Sequence, residues 1–450
     1  MSTLWIRNPL AVLTPEGADA RGGIVVRDGA IAELLPAGAS PAASCDAVFD
    51  AARHVVLPGL VNAHHHFYQT LTRACPPALD KALFAWLQAL YPIWAGLTPE
   101  HIAVSTRLAL AELLLSGCTT ASDHHYVFPA GLEEAIDIQI AEAAQLGMRV
   151  VLTRGSMSLS VEDGGLPPAA VVQDAETILD DSRRLIERFH QRGPGAMVQV
   201  ALAPCSPFSV REELMVETAR LAREQGVRLH THLGETRDET AFCLETMGAR
   251  PVDYLERVGW LSADVWLAHG IHFNAGEIER LGAAGVGVCH CPCSNMILSS
   301  GLCPTLELEA AGAPLGLGVD GSASNDGSNL MQEVRQAFLL QRLRYGADRV
   351  SHLDALRWAT SGSARCLGRD DIGVVAPGKQ ADLALFTLDE PRFCAAGDPL
   401  AALVLCGAHH ADRVMVAGRW VVEDGRIPGL DLPRLMEDHR RLSRTLTAAF

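Results

Sequence analysis

VVLPGLVNAHHH, residues 55–66, carries an apolar run through Pro58-Gly59 into three consecutive histidines. An apolar run that ends in polar residues reads as a buried strand whose last positions reach a functional edge. Side chains alternate along a strand, so His64 and His66 point one way and His65 the other. The outer two are candidates to grip one ion, and His65 is expected to pack outward or cap a loop. One His-x-His alone is weak evidence, because a core or exposed pair reads the same way.

Working outward, the middle of the chain repeats this strand in a series. TPEHIAVSTRLALAELLLSGC (98–118) reads as a helix and TTASDHH (119–125) as a strand; GLEEAIDIQIAEAAQLGM (131–148) reads as a helix and RVVLTRG (149–155) as a strand. MVQVALAPCS, VRLHTHLGE, DVWLAHGI, VGVCHCPCS and PLGLGVDG follow at similar intervals, giving eight strands with the first. Alternating strands and helices predict a parallel sheet covered by helices, and eight such units suggest a closed α/β barrel.

In such a barrel the chemistry sits at the C-terminal strand ends. Strand one ends in His64-His65-His66, strand two in Asp123-His124-His125, and strand five in His230-Thr231-His232 with Glu235 three residues on. Strand six supplies His269 and strand eight Asp320. His232 and Asp320 would complete a zinc-type site with His64 and His66. Each signal has a bland reading: His230 as a barrel-layer residue, His124 and His125 as hydrogen-bonded side chains, Asp320 as a helix cap, His409-His410 as a surface loop. CHCPCSN (289–295) lacks the paired spacing of a structural zinc site and reads as strand-seven cysteines. The bland readings weaken only because five signals fall in order on strand ends.

The two ends of the chain differ from the middle. Asp28-Gly29, Ala417-Gly418 and Asp424-Gly425 are turn pairs between short apolar runs, which predicts hairpins. We expect residues 1–57 and 369–430 to form one small β-sandwich domain, residues 58–368 the barrel, and residues 431–450 a closing helix.

Composition limits the partners. The chain has 450 residues, 48% of them hydrophobic, and a formal charge of −16, which argues against nucleic acid, whose phosphates need clustered basic residues. No apolar stretch is long enough to span a membrane, and MSTLWIRNPL lacks a basic start followed by an apolar run. The twelve scattered cysteines fit free thiols in a reducing cytoplasm.

PGLVNAHHH, HLGE, AHG before Ile271, HCPCSN, GVDGSASND and GVVAPGKQADLALF together resemble the signatures of the amidohydrolase superfamily, in its aminohydrolase branch, along nearly the whole chain. The resemblance implies a distorted (β/α)8 TIM barrel and one divalent metal, zinc first, held by His64, His66, His232 and Asp320. It implies Glu235 as proton shuttle, His269 as the group that polarises water, and Asp320 as proton acceptor. Members with two metals usually bridge them with a carboxylated lysine on strand four; the only lysines here are Lys81 and Lys379, so one metal is expected. The expected partners are a small purine-like substrate and water, with a homo-oligomeric assembly.

For the ring, Gln69 matches a glutamine that contacts the purine in guanine deaminases, although a loop-capping glutamine reads equally well. Where those enzymes carry arginine and phenylalanine after strand four, this chain has Cys205, which puts plain guanine in doubt. HHHFYQTLTR, DHHY and HTHLGETRDET look most like deaminases of 8-oxoguanine; isoxanthopterin, guanine and hydroxytriazines are the alternatives. Trp86 and Tyr126 are candidates to stack on a bicyclic ring, or equally core or lid residues. A silent scaffold on the same fold would be expected to lose one of these polar groups, and all are present.

Overall fold

The structure, a computed structural model, describes residues 3–449. At its centre stands an eight-stranded parallel sheet: β1 (Leu60–Asn62), β2 (Cys118–His125), β3 (Arg149–Ser156), β4 (Val198–Pro204), β5 (Leu229–Leu233), β6 (Val265–His269), β7 (Gly287–His290) and β8 (Leu315–Leu317). Each strand pairs with its neighbours in the sequence. Every residue of β2 and β3 is buried, as expected for strands covered on both faces. The helix Pro99–Leu115 begins at a Thr98–His101 capping box, and the helix Ala135–Leu146 ends at Gly147 with φ 68°. Both lie where the hydrophobic period and the cap residues predict.

The first strand departs from the single run expected for residues 55–66. His54–Pro58 pairs in a five-stranded sheet outside the barrel, Leu60–Asn62 joins β2, and His65–His66 pairs with Asp320–Gly321. Gly59 is the crossing point because a Cβ there would lie 2.1 Å from Thr119 Oγ1. Beyond Asn62 the Ala63 N–H bonds to the Leu317 carbonyl (3.0 Å), and the Asp320 N–H bonds to the His64 carbonyl (3.1 Å). These bonds close the barrel and bring the His64–His66 segment beside Asp320. Of the cysteines assigned to strand seven, only Cys289 lies on β7. Cys291 caps the helix Pro292–Ile297 and Cys293 lies inside it, because Pro292 favours a first helical turn.

Both chain ends build the second, smaller layer. A four-stranded sheet from residues 3–50 faces a five-stranded sheet made of Ala11–Val12, His54–Pro58, Leu383–Thr387, Arg413–Val416 and Arg419–Val422. Ile6, Ile24, Val56, Leu383, Leu385 and Met415 fill the space between them. The expected hairpins turn at Asp28-Gly29 and Ala417-Gly418, all four residues at positive φ. The helix Leu432–Thr447 buries Leu435, His439, Leu442 and Leu446, and His439 Nε2 lies 3.1 Å from Thr70 Oγ1. On this arrangement we propose the division into residues 1–57, 58–368, 369–430 and 431–450. Among the described residues, no helix is long and apolar enough to cross a membrane.

One buried ion pair joins barrel and sandwich. Arg149, at the start of β3, donates to both oxygens of Asp382 (3.0 and 3.1 Å) and to the carbonyls of Gly195 and Ala196. Asp382 also accepts the Ala417 N–H at 2.7 Å. Both side chains are buried. Asp382→Ala leaves a buried guanidinium without its anion, which costs about 3–5 kcal/mol. Chemical denaturation should show that loss, and a midpoint unchanged from wild type would refute it.

Candidate active site

The C-terminal ends of β1, β5, β6 and β8 deliver imidazoles and carboxylates to one point. His66 Nε2 lies 3.2 Å from His232 Nε2 and 3.3 Å from Asp320 Oδ1, and His64 Nε2 lies 3.2 Å from the same oxygen. A tetrahedral ion about 2.0–2.1 Å from four ligands sets those ligands about 3.3 Å apart. The observed edges have that length. Ligand atoms of His64, His232, His269 and Asp320 also lie within 4.8 Å of one another.

Hydrogen bonds behind the rings decide where their protons sit. His66 Nδ1 donates to the His124 carbonyl and His232 Nδ1 to the Cys205 carbonyl, each at 2.7 Å. His230 Nδ1 donates to the Trp266 carbonyl (2.8 Å), so its Nε2 accepts from His64 Nδ1 (2.8 Å). Each of the three rings therefore turns a bare Nε2 lone pair inward. Burial holds His64 well below the ordinary histidine range and His232 at about 3, which keeps both rings neutral. Three lone pairs and a carboxylate oxygen facing one another repel unless a cation lies between them. His64 Nε2 accordingly has no hydrogen-bond partner. This donor set fits a divalent ion, with backbone carbonyls orienting the rings as outer partners do in metal sites. His64, His124 and His230 also cluster, but the 2.8 Å separation of His64 Nδ1 and His230 Nε2 is an N–H···N bond rather than two ligands.

The two carboxylates are driven apart. Burial, then the nearby Asp320 carboxylate, raises Glu235 well above the usual carboxylate range. Burial also pushes Asp320 upward, but hydrogen bonds from the His64 and His66 imidazoles outweigh it and hold Asp320 well below that range. Two carboxylates whose proton affinities are pushed in opposite directions equip a site with both an acid and a base. His269 Nε2 sits between them, 3.5 Å from Glu235 Oε2 and 3.8 Å from Asp320 Oδ2. Both His269 (φ 71°) and Asp320 (φ 62°) hold left-handed backbone that non-glycine residues rarely adopt. Such strain collects at functional sites, where the surrounding structure enforces it. The turn carrying Glu235 is pinned by Glu239, which accepts the N–H of Gly234 and of Glu235 at 2.8 Å each.

A pocket opens over this cluster, and Gln69, Trp86, Tyr126 and Cys205 line it together with His66, His232, Glu235, His269 and Asp320. Gln69 Oε1 is buried with no partner. It fits there because residue 321 is glycine, whose Cβ would lie 1.8 Å from that oxygen. The Cys205 thiol is pushed up by burial to about 12 and stays protonated. Trp86 is anchored through Nε1 to the Ala323 carbonyl at 3.1 Å. His65 points away from the cluster to the Ser328 hydroxyl (2.9 Å), which ties down the loop after Asp320. His125 has no partner for either ring nitrogen, and His410 caps the exposed Gly425 carbonyl.

Sequence reasoning missed several contributors. Asn62 accepts the Val319 N–H (2.9 Å) and reaches the Ser122 carbonyl (3.4 Å), tying β1 to β2 and to the segment before Asp320. Its place in the NAHHH run was the available signal. Tyr91 and Phe208 also line the pocket. Tyr91 belongs to an apolar helical face with Leu83, Leu87 and Trp94, which reads as core until its buried, unpartnered hydroxyl is seen.

Comparison with known proteins agrees with this geometry. The family model "Amidohydrolase family" matches residues 55–421. The chain is 66% identical over 448 residues to an 8-oxoguanine deaminase of Pseudomonas aeruginosa, covering 100% of each. It is 41% identical over 386 residues to a hydroxydechloroatrazine ethylaminohydrolase of Pseudomonas sp. strain ADP, covering 83% of this chain and 79% of that one. Among solved structures, an atrazine chlorohydrolase from Arthrobacter aurescens TC1 complexed with zinc superposes with a TM-score of 0.91 at 32% identity, covering 98% of this chain and 100% of that one. Barrel, donor cluster and full-length similarity lead to one assignment: the chain belongs to the amidohydrolase family.

Proposed function

We propose that this protein is a metal-dependent aminohydrolase that converts 8-oxoguanine and water to urate and ammonia, with one zinc ion per chain. The observation that carries this reading is the meeting, in one pocket, of four inward-facing donors with a second buried carboxylate, Glu235, beside His269. The full-length similarity to an 8-oxoguanine deaminase supports the ring, and the zinc in the similar chlorohydrolase supports the metal. A single ion is supported by β4, Val198–Pro204, which carries no lysine to bridge a second.

In this reading His64, His66, His232 and Asp320 Oδ1 hold the ion. A divalent ion so held supplies Lewis acidity that brings the pKa of water toward neutrality. Asp320 Oδ2, the oxygen turned away from His64 and His66, accepts the proton that water gives up. Glu235 protonates the ring nitrogen beside the attacked carbon, which makes that carbon electrophilic. His269 stabilises the negative charge that develops on the attacking oxygen. Asp320 passes the proton it took from water to the amine, and Glu235 takes back a proton from the adduct hydroxyl, so the C–N bond breaks and ammonia leaves. Gln69 offers donor and acceptor to the lactam edge, Cys205 leaves room beside the other edge, and Trp86 and Tyr126 flank the ring. Twelve free thiols support a reducing cytoplasm, and a homo-oligomer belongs to the same proposal.

Purified protein assayed for ammonia release on purines, pterins and triazines tests the ring. We expect the highest kcat/KM on 8-oxoguanine; a higher value on isoxanthopterin, guanine or a hydroxytriazine would replace it. Cys205→Arg should crowd the ring oxygen and shift the ratio of kcat/KM values toward guanine by about tenfold or more. Gln69→Ala should weaken both purines, because they share the lactam edge. An unchanged ratio in the arginine variant would show that Cys205 does not read the C8 edge.

A further inference from the structure

Behind His269 runs a line of buried side chains that the reaction scheme leaves without a role. Asn295 Oδ1 lies 3.0 Å from His269 Nδ1, and Asn295 Nδ2 lies 3.4 Å from His290 Nδ1. His290 Nε2 lies 3.2 Å from Gln341 Nε2. Asn295, His290 and Gln341 are all buried.

The outer end of this line has only one consistent arrangement. Gln341 Oε1 accepts from the Thr305 hydroxyl (3.1 Å), and Gln341 Nε2 donates to the Cys303 carbonyl (3.3 Å), so the amide nitrogen faces His290. His290 Nε2 must then accept. Burial lowers His290 to about 3, so the ring is neutral and its one proton sits on Nδ1. That N–H points at Asn295 and needs an oxygen. With Nδ2 turned toward His290, two donors would face each other. A half-turn of the carboxamide removes the conflict and changes little in shape, since its oxygen and nitrogen are nearly alike in size. Oδ1 then accepts from His290, and Nδ2 donates to His269 Nδ1. His269 is left with its proton on Nε2, the nitrogen that faces Glu235 and Asp320.

We propose that Asn295, His290 and Gln341 are positioning residues that hold His269 in its Nε2–H tautomer. In that form His269 donates a hydrogen bond into the pocket and has no lone pair there to take a proton from water. Acceptance of the proton from the attacking water is left to Asp320. The inference rests on the proposed hydrolytic deamination for its consequence, but the tautomer itself is measurable without turnover.

The test is ring-nitrogen correlation by 15N NMR on histidine-labelled protein, with the His269 signals identified by their loss in His269→Asn. We expect Nε2 to carry the proton in wild type. A wild-type His269 protonated on Nδ1 overturns the proposal, even if no ring in the panel is deaminated. Asn295→Asp and Asn295→Ala supply a kinetic readout. The aspartate keeps the shape but offers only acceptors, which draws the His269 proton to Nδ1. The alanine opens a cavity but imposes no tautomer. We expect kcat to be about 10- to 100-fold lower for the aspartate variant than for the alanine variant, with KM little changed. A merely structural role predicts the reverse order, and that order would also overturn the proposal.

Discussion

His66→Ala should lose bound metal and ammonia release together. The variant removes one of the three inward lone pairs, the one 3.2 Å from His232 Nε2 and 3.3 Å from Asp320 Oδ1. What remains is two imidazoles and a carboxylate around an enlarged gap, which no longer presents the four ligands an ion of this kind takes. Elemental analysis should fall from one metal per chain toward zero, and turnover should fall to background. Circular dichroism should be preserved, because His66 lies at the strand end and its removal leaves the barrel ladder intact. Two metals per chain in active wild-type protein would refute the mononuclear reading; an active, metal-loaded His66→Ala would remove His66 from the ligand set.

Glu235→Gln should keep the metal and lose the proton. Glutamine preserves volume, and the turn that carries residue 235 stays pinned by Glu239. Turnover should fall by about two to four orders of magnitude, the usual range for a general acid–base group. The pH profile provides a second check. Burial first, then Asp320, raises Glu235, so its acid form persists to higher pH than that of an ordinary carboxylate and is lost as pH climbs through the raised value. Wild-type kcat should therefore decline on that alkaline limb, and the limb should flatten in the glutamine variant. Near-normal turnover by Glu235→Gln would show that another group carries the proton.

Much of this site was legible in order along the chain. The alternation that sends His64 and His66 one way and His65 another follows from strand geometry alone, and His65 indeed turns to Ser328. The apolar runs of β2 and β3, and the capped helices between strands, required only periodicity and cap chemistry. The hairpins at Asp28-Gly29 and Ala417-Gly418 required only a turn pair ending in a glycine free to take positive φ.

Other features depended on which distant segments meet. Residues 55–66 carry no local mark where the chain leaves the small sheet, enters the barrel and crosses to Asp320, because each break is set by a partner far along the chain. Asp382 receives the Gly59 N–H at its carbonyl, Leu317 that of Ala63, and His64 that of Asp320. His230, expected to be a barrel-layer residue, fixes the His64 tautomer across 166 positions. Strand order and side-chain alternation are local properties of a chain and are therefore written in the sequence. The direction of each N–H in the histidine cluster, and the opposite shifts of Glu235 and Asp320, arise from burial and through-space partners, which exist only once the barrel has closed.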